Sequence, residues 1–176
     1  MAKHPEHILI LLRHAKSDWT GGEADVDRPL SGRGLRQAPL AGRWLAEQWV
    51  ADGIRRIDLA VVSPARRARQ TWNLVCAELD DEPATLIDER AYAASADELL
   101  GIVRGLPEDA GTAVLVGHNP GMEDLASLLA DEQVPLPTSA IAVLALPGPW
   151  STAGQSPARL VASGRPPTGI DAPTRH

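Results

Sequence analysis

The sequence predicts an α/β fold, a three-layer α/β/α sandwich around a mostly parallel central sheet. Two observations carry that expectation. Short apolar runs at Ile8–Leu12, Ile57–Val62, Ala113–Val116 and Ile141–Leu146 alternate with longer stretches whose apolar residues recur at helical spacing. Runs of that length, bounded by Gly, Pro and polar residues, read as buried strands, and strand–helix alternation builds layered α/β domains. The 176 residues fit one domain with room for a real core. Residues 1–164 are taken as that domain and 165–176 as a loose carboxyl-terminal tail, since composition shifts to Gly, Pro, Ser and Thr beyond Pro147.

In chain order, the first strand delivers Arg13-His14 and is followed by a polar loop, Lys16 to Pro29. Ser31 is placed to cap a helix with Leu35, Ala38, Leu45 and Trp49 on one face, ended by Gly53. Pro39 lies inside that helix, where proline removes a hydrogen bond and costs about 3 kcal/mol. The second strand delivers Ser63-Pro64, read as a cap and first-turn proline, before a stripe of Ala68, Thr71/Trp72, Val75 and Leu79. A short strand at Thr85–Ile87 precedes Asp88-Glu89-Arg90. Ser95 and Glu98 have capping-box spacing and open a helix turning Leu99, Ile102, Val103 and Leu106 inward. The 113–116 strand ends in Gly117-His118-Asn119-Pro120, where Asn119-Pro120 again resembles a cap and first-turn proline. A weak last strand is expected near Arg159–Ala162.

Chemistry enters through position. In open α/β sheets, ligands bind at the carboxyl ends of the strands. Two imidazoles, His14 and His118, each follow a strand directly, and Arg13 and Arg66-Arg67 reach the same edge. Net charge is −6, so the molecule as a whole has no pull towards nucleic acid, and any anion site must be local. Arginine forks and helix amino termini suit phosphate oxygens. A metal is not expected, because fixed positive charge flanks the histidines and no HxH or HxxxH chelate is present. No cofactor is expected. His4, His7 and His176 lack such context and read as surface residues, and Cys76 reads as a buried structural thiol. No membrane span or signal peptide is recognised, so a soluble cytoplasmic protein is the expectation.

Four blocks in order resemble the histidine phosphatase (phosphoglycerate mutase-like) superfamily. They are Arg13-His14-Ala15-Lys16-Ser17, Arg28-Pro29-Leu30-Ser31-x-x-Gly34, Ser63-Pro64-x-x-Arg67-Ala68-x-Gln70-Thr71 and Val116-Gly117-His118-Asn119-Pro120. Ala15 stands where the first block usually has glycine, and the resemblance spans residues 7 to 146. Within the superfamily the chain is most similar to the SixA-like branch, whose activity is removal of phosphate from protein phosphohistidine. The resemblance implies His14 as the phosphorylated nucleophile, with Arg13, Arg67 and His118 holding the phosphoryl oxygens. Ser17 matches a hydroxyl residue that touches phosphate in some relatives, whereas Arg66 falls off the pattern and reads as solvent-exposed.

Glu89 lies where some relatives carry an acidic proton donor; its other reading is a solvated carboxylate paired with Arg90. The implied partner is a phosphorylated protein bearing phosphohistidine, with no nucleic acid and no membrane. A phosphatase for small phosphate esters is the same-fold alternative. A phosphate-recognising scaffold with little turnover is the alternative of a different class.

Overall fold

The computed structural model describes residues 6–51 and 56–171. Seven strands form one sheet in the order β3-β2-β4-β1-β5-β6-β7. β1 (His7–Arg13), β2 (Leu59–Val62), β3 (Ala84–Ile87) and β4 (Thr112–Gly117) make a parallel half. β5 (Ile141–Leu146), β6 (Arg159–Arg165) and β7 (Thr168–Asp171) add on antiparallel. β1, β2 and β4 read as unbroken apolar runs because helices cover both faces of the sheet.

Alternation along β1 divides the core. Ile10 and Leu12 pack with Ala41, Leu45, Trp72 and Val75 from α1 (Gly32–Ala51) and α2 (Arg66–Cys76). Leu9 and Leu11 face Leu99, Val103, Leu125 and Leu129 from α3 (Ala96–Arg104) and α4 (Gly121–Ala130). This is the three-layer sandwich expected from the sequence. Among the described residues, no helix is long and apolar enough to cross a membrane.

Several local expectations need correction. α1 runs through Pro39 without a break, and Leu35 is 48% exposed while Ala41 takes the inward place. The side chain of Trp49 and the stop at Gly53 lie outside the described residues, as do His4 and His176. His7 is not a surface residue. It is 8% exposed, tilted against the buried Trp150 ring at 4.6 Å, with Nδ1 2.8 Å from the Gly148 carbonyl. Cys76 is half-buried rather than buried, its thiol pushed up to about 11 by that burial. β6 and β7 carry the sheet past residue 164 to Asp171; the rest of the expected tail lies outside the described residues. The composition there is rich in Gly, Pro, Ser and Thr, yet antiparallel pairing of β7 with β6, itself paired to β5, orders the segment.

Candidate active site

Sheet register explains why the two histidines meet. β4 lies between β1 and β2, with Arg13 opposite Gly117 and Val62 opposite Val116. His14, His118 and Ser63 therefore leave three adjacent parallel strands at the same height. The imidazole centroids of His14 and His118 are 5.0 Å apart. α2 then brings Arg67, buried beneath the loop of residues 16–30, between them.

Hydrogen bonds fix both tautomers. His14 Nδ1 lies 2.7 Å from the Ala15 carbonyl, which only accepts, so Nδ1 carries the proton and Nε2 keeps its lone pair. Arg67 Nε–H points to that lone pair at 3.4 Å. Arg67 Nη2 donates to His118 Nδ1 at 3.3 Å, leaving His118 Nε2–H to donate to Ser63 Oγ at 2.7 Å. Burial, with Arg67 and Arg13 nearby, lowers His14 to about 3 and His118 to about 4. Both imidazoles are neutral at pH 7, as a nitrogen nucleophile requires.

Arg13 comes to the same edge, giving one N–H to the Leu136 carbonyl at 3.2 Å. Its Nε is buried with no partner among the described residues, a donor free for an anion. Asn119 is not a helix cap: its amide donates to the Leu136 carbonyl at 2.9 Å, and α4 begins at Gly121. Ser63 likewise is not the cap of α2, whose cap position is Ala65; its hydroxyl accepts from His118 Nε2–H and, at 3.3 Å, from the Ala65 N–H. A Cβ at Gly121 would overlap the Ala94 carbonyl, so glycine there lets the 88–95 loop settle over α4. That loop sets Tyr92 edge-on to His118 at 5.6 Å.

Ser17 is buried, and its hydroxyl accepts from Arg28 Nη1 at 2.9 Å. Glu89 is exposed at the rim, in a short helical turn, with no side-chain partner among the described residues. Arg90 pairs with Asp88 at 2.6 Å, not with Glu89. Arg66 is exposed, as expected.

Asp25 was not singled out by the sequence. Its Oδ1 takes Arg28 Nε and Nη2 at 3.1 and 3.0 Å. Its Oδ2 takes the Tyr92 hydroxyl at 2.6 Å and Arg67 Nη2 at 3.1 Å, while its backbone carbonyl accepts from Arg67 Nη1 at 2.7 Å. The Tyr92 hydrogen bond, then the two arginines, hold the carboxyl down at about 2. Arg28 also stacks on Trp19, 3.4 Å from the ring centroid, and that indole is 70% exposed at the rim. Among the described residues, no three His, Cys, Asp or Glu side chains are grouped as metal ligands are.

The model of the histidine phosphatase superfamily (branch 1) matches residues 9–92. An uncharacterised Mycobacterium tuberculosis protein, Rv1276c, is 37% identical over 161 residues, covering 85% of this chain and 96% of that protein. The chain belongs to the histidine phosphatase superfamily, on its SixA-like branch. A structure described as a candidate phosphohistidine phosphatase SixA from Nakamurella multipartitia is 27% identical, with TM-score 0.79 over 94% of this chain and 99% of that one. Its counterpart from Agrobacterium tumefaciens is 29% identical, TM-score 0.74, over 93% and 99%.

Proposed function

We propose that the chain is a phosphohistidine phosphatase, with His14 as the covalent nucleophile and Arg13, Arg67 and His118 as the groups that hold the phosphoryl oxygens. The observation that carries this reading is the locked tautomer of His14. Its Nε2 lone pair faces the one buried arginine that also touches the second histidine.

In the first step Nε2 attacks phosphorus, the substrate P–N bond breaks, and its electron pair goes to the departing imidazole. In the second, water attacks the phosphoryl group on His14, releasing inorganic phosphate and returning the pair to Nε2. Arginine forks offset charge on the equatorial oxygens in both steps. Phosphoryl dianion between the imidazoles favours a proton on His118 Nδ1, which then donates to it. The reaction as proposed uses no cofactor and no metal.

A phosphoprotein substrate is supported by the openness of the rim. The 50 residues between Arg67 and His118 are taken up mainly by α2, β3, α3 and β4, and Trp19 stands exposed beside the site. A cytoplasmic setting is part of the proposal. Ser17, engaged by Arg28, enters as a positioning residue for that guanidinium.

The test is trapping with a radiolabelled histidine-phosphorylated protein and an alkaline quench. Label is expected on the wild-type chain and none on His14→Ala. Retained label on the variant overturns the nucleophile, and faster turnover of a phosphoserine peptide overturns the substrate class.

A further inference from the structure

We propose that the Arg67–Asp25 ion pair is a template for the two charges of a phosphohistidine side chain, the phosphoryl group displacing Asp25 from Arg67 and the imidazolium ring displacing Arg67 from Asp25. The inference rests on the phosphohistidine reading and names the group that selects it over an ester.

Arg67 is arranged with its ends on different partners. Nε faces the His14 lone pair, and Nη1 and Nη2 are taken by Asp25. In-line transfer puts the leaving group on the side of phosphorus away from the nucleophile. Asp25 is bound at the far end of the guanidinium from His14, and the template assigns it to that outer side. Its side chain is 50% exposed, so a ring entering from solvent can reach it.

The carboxylate is saturated in the free protein. Two arginine N–H groups occupy Oδ1, and the Tyr92 hydroxyl and Arg67 occupy Oδ2. When Arg67 turns to phosphoryl oxygens, one Oδ2 site opens. A phosphohistidine protonated on its distal nitrogen fills it with an N–H⁺ donor. An alkoxide or aryl leaving group has no such donor and leaves Asp25 short of a partner.

The chemistry of departure fits the same carboxylate. The P–N bond of a phosphoimidazolium breaks with its pair going to nitrogen, yielding neutral imidazole whose distal N–H stays in place. No proton is transferred, so the group required is a permanent anion that favours the imidazolium. An ester needs the opposite, a carboxylic acid able to give up a proton. Asp25 is held in the anionic form by Tyr92, Arg67 and Arg28. The charged and titratable groups facing it are Arg67 on α2, Arg28 beside it, Tyr92 from the 88–95 loop, and His118, which shares Arg67 and lies beneath Tyr92.

The experiment compares kcat/KM from pH 6 to 9 for a histidine-phosphorylated peptide and for 4-nitrophenyl phosphate, in the wild type, Asp25→Asn and Asp25→Ser. Loss of a charge-assisted hydrogen bond is expected to slow phosphohistidine turnover about 10- to 100-fold. The aryl ester, affected only through Arg67 orientation, is expected to slow less than about fivefold. The alkaline limb for phosphohistidine is expected about one pH unit lower in both variants, with no such displacement for the aryl ester. Equal slowing of both substrates, or an unmoved alkaline limb, overturns the template and leaves the phosphohistidine reading standing. A wild-type chain that hydrolyses only the aryl ester overturns both.

Discussion

A histidine buried beside two arginines is a poor base, and that weakness stabilises the free site in its reactive form. His14 at about 3 and His118 at about 4 both lie below the ordinary imidazole value of 6.5. The unfolded chain therefore binds more protons than the folded one below pH 6.5, and stability falls as pH falls over that range. The contribution is complete above about pH 6.5 and is lost as pH falls towards the folded values. Asp25 acts in a separate window: its depressed value stabilises the fold above pH 3.9 and is lost towards about 2. Between pH 6 and 4.5 each buried histidine adds up to about 1.4 kcal/mol per pH unit to the slope of stability. In denaturant titrations at pH 6.0, 5.2 and 4.5, His14→Asn is expected to flatten that slope by one such share. A slope equal to wild type would show that His14 is already charged. These residues were legible because each directly follows a strand. Asp25 and Tyr92 were not, since they meet across 67 residues of chain through loops with no periodicity to read.

At the scale of elements, the loop of residues 16–30 is what turns a sheet edge into a pocket, and glycine holds it down. A Cβ on Gly34, in the first turns of α1, would overlap the Lys16 carbonyl. Lys16 N is tied to Gln37 at 3.0 Å, and Ser31 N and Oγ both donate to the Lys16 carbonyl. The loop thus crosses α1 at backbone contact, and beyond it lie Ser17, Asp25 and Arg28. Gly34→Ala is expected to destabilise by about 1–3 kcal/mol, as overpacking does, and to lower kcat/KM by displacing Asp25 and Arg28. Gly101→Ala is the counterpart: that residue sits exposed in α3 with open space around it, and a stabilisation of about 0.5–1 kcal/mol is expected. Thermal melts of the two variants check both signs, and a stable, fully active Gly34→Ala would show that the loop is free to lift. Periodicity located α1, α2 and α3, a cap signal pointed to α4, and capping-box spacing placed Ser95 correctly as the cap of α3. Ser63 and Asn119 have the chemistry of caps as well. Their side chains are claimed instead by His118, which the register of β2 and β4 brings to Ser63, and by the Leu136 carbonyl, which the segment between α4 and β5 brings to Asn119.

Across the whole molecule the sheet separates stability from chemistry along its own strands. β1 begins at buried His7 and ends where His14 begins, seven residues or roughly 23 Å apart. At the first end, Trp150 is fully buried, packs at a tilt against His7, and donates Nε1–H to the Ala110 carbonyl at 2.8 Å. This joint fastens the start of β1, the turn before β4 and the segment after β5, so the chain beyond Trp150 is part of the fold through β6 and β7. At the other end, Arg13, Arg28 and Arg67 gather around two neutral imidazoles in a chain whose net charge is −6, and Asp25 offsets part of that local excess. Two kinds of substitution should then have opposite signatures. Trp150→Ala is expected to cost about 3–5 kcal/mol while leaving kcat/KM per folded molecule, and the preference between phosphohistidine and aryl phosphate, within about twofold of wild type. His118→Ala is expected to lower turnover by about 10²-fold or more with a smaller loss of stability than Trp150→Ala, because the ring is held by the polar groups of Ser63 and Arg67 and meets Tyr92 only edge-on. Urea unfolding and active-site-titrated kinetics on the same preparations measure both axes. A changed substrate preference in Trp150→Ala would mean that the two ends of β1 are coupled through the sheet, against the rigid, independently braced edges that its packing describes.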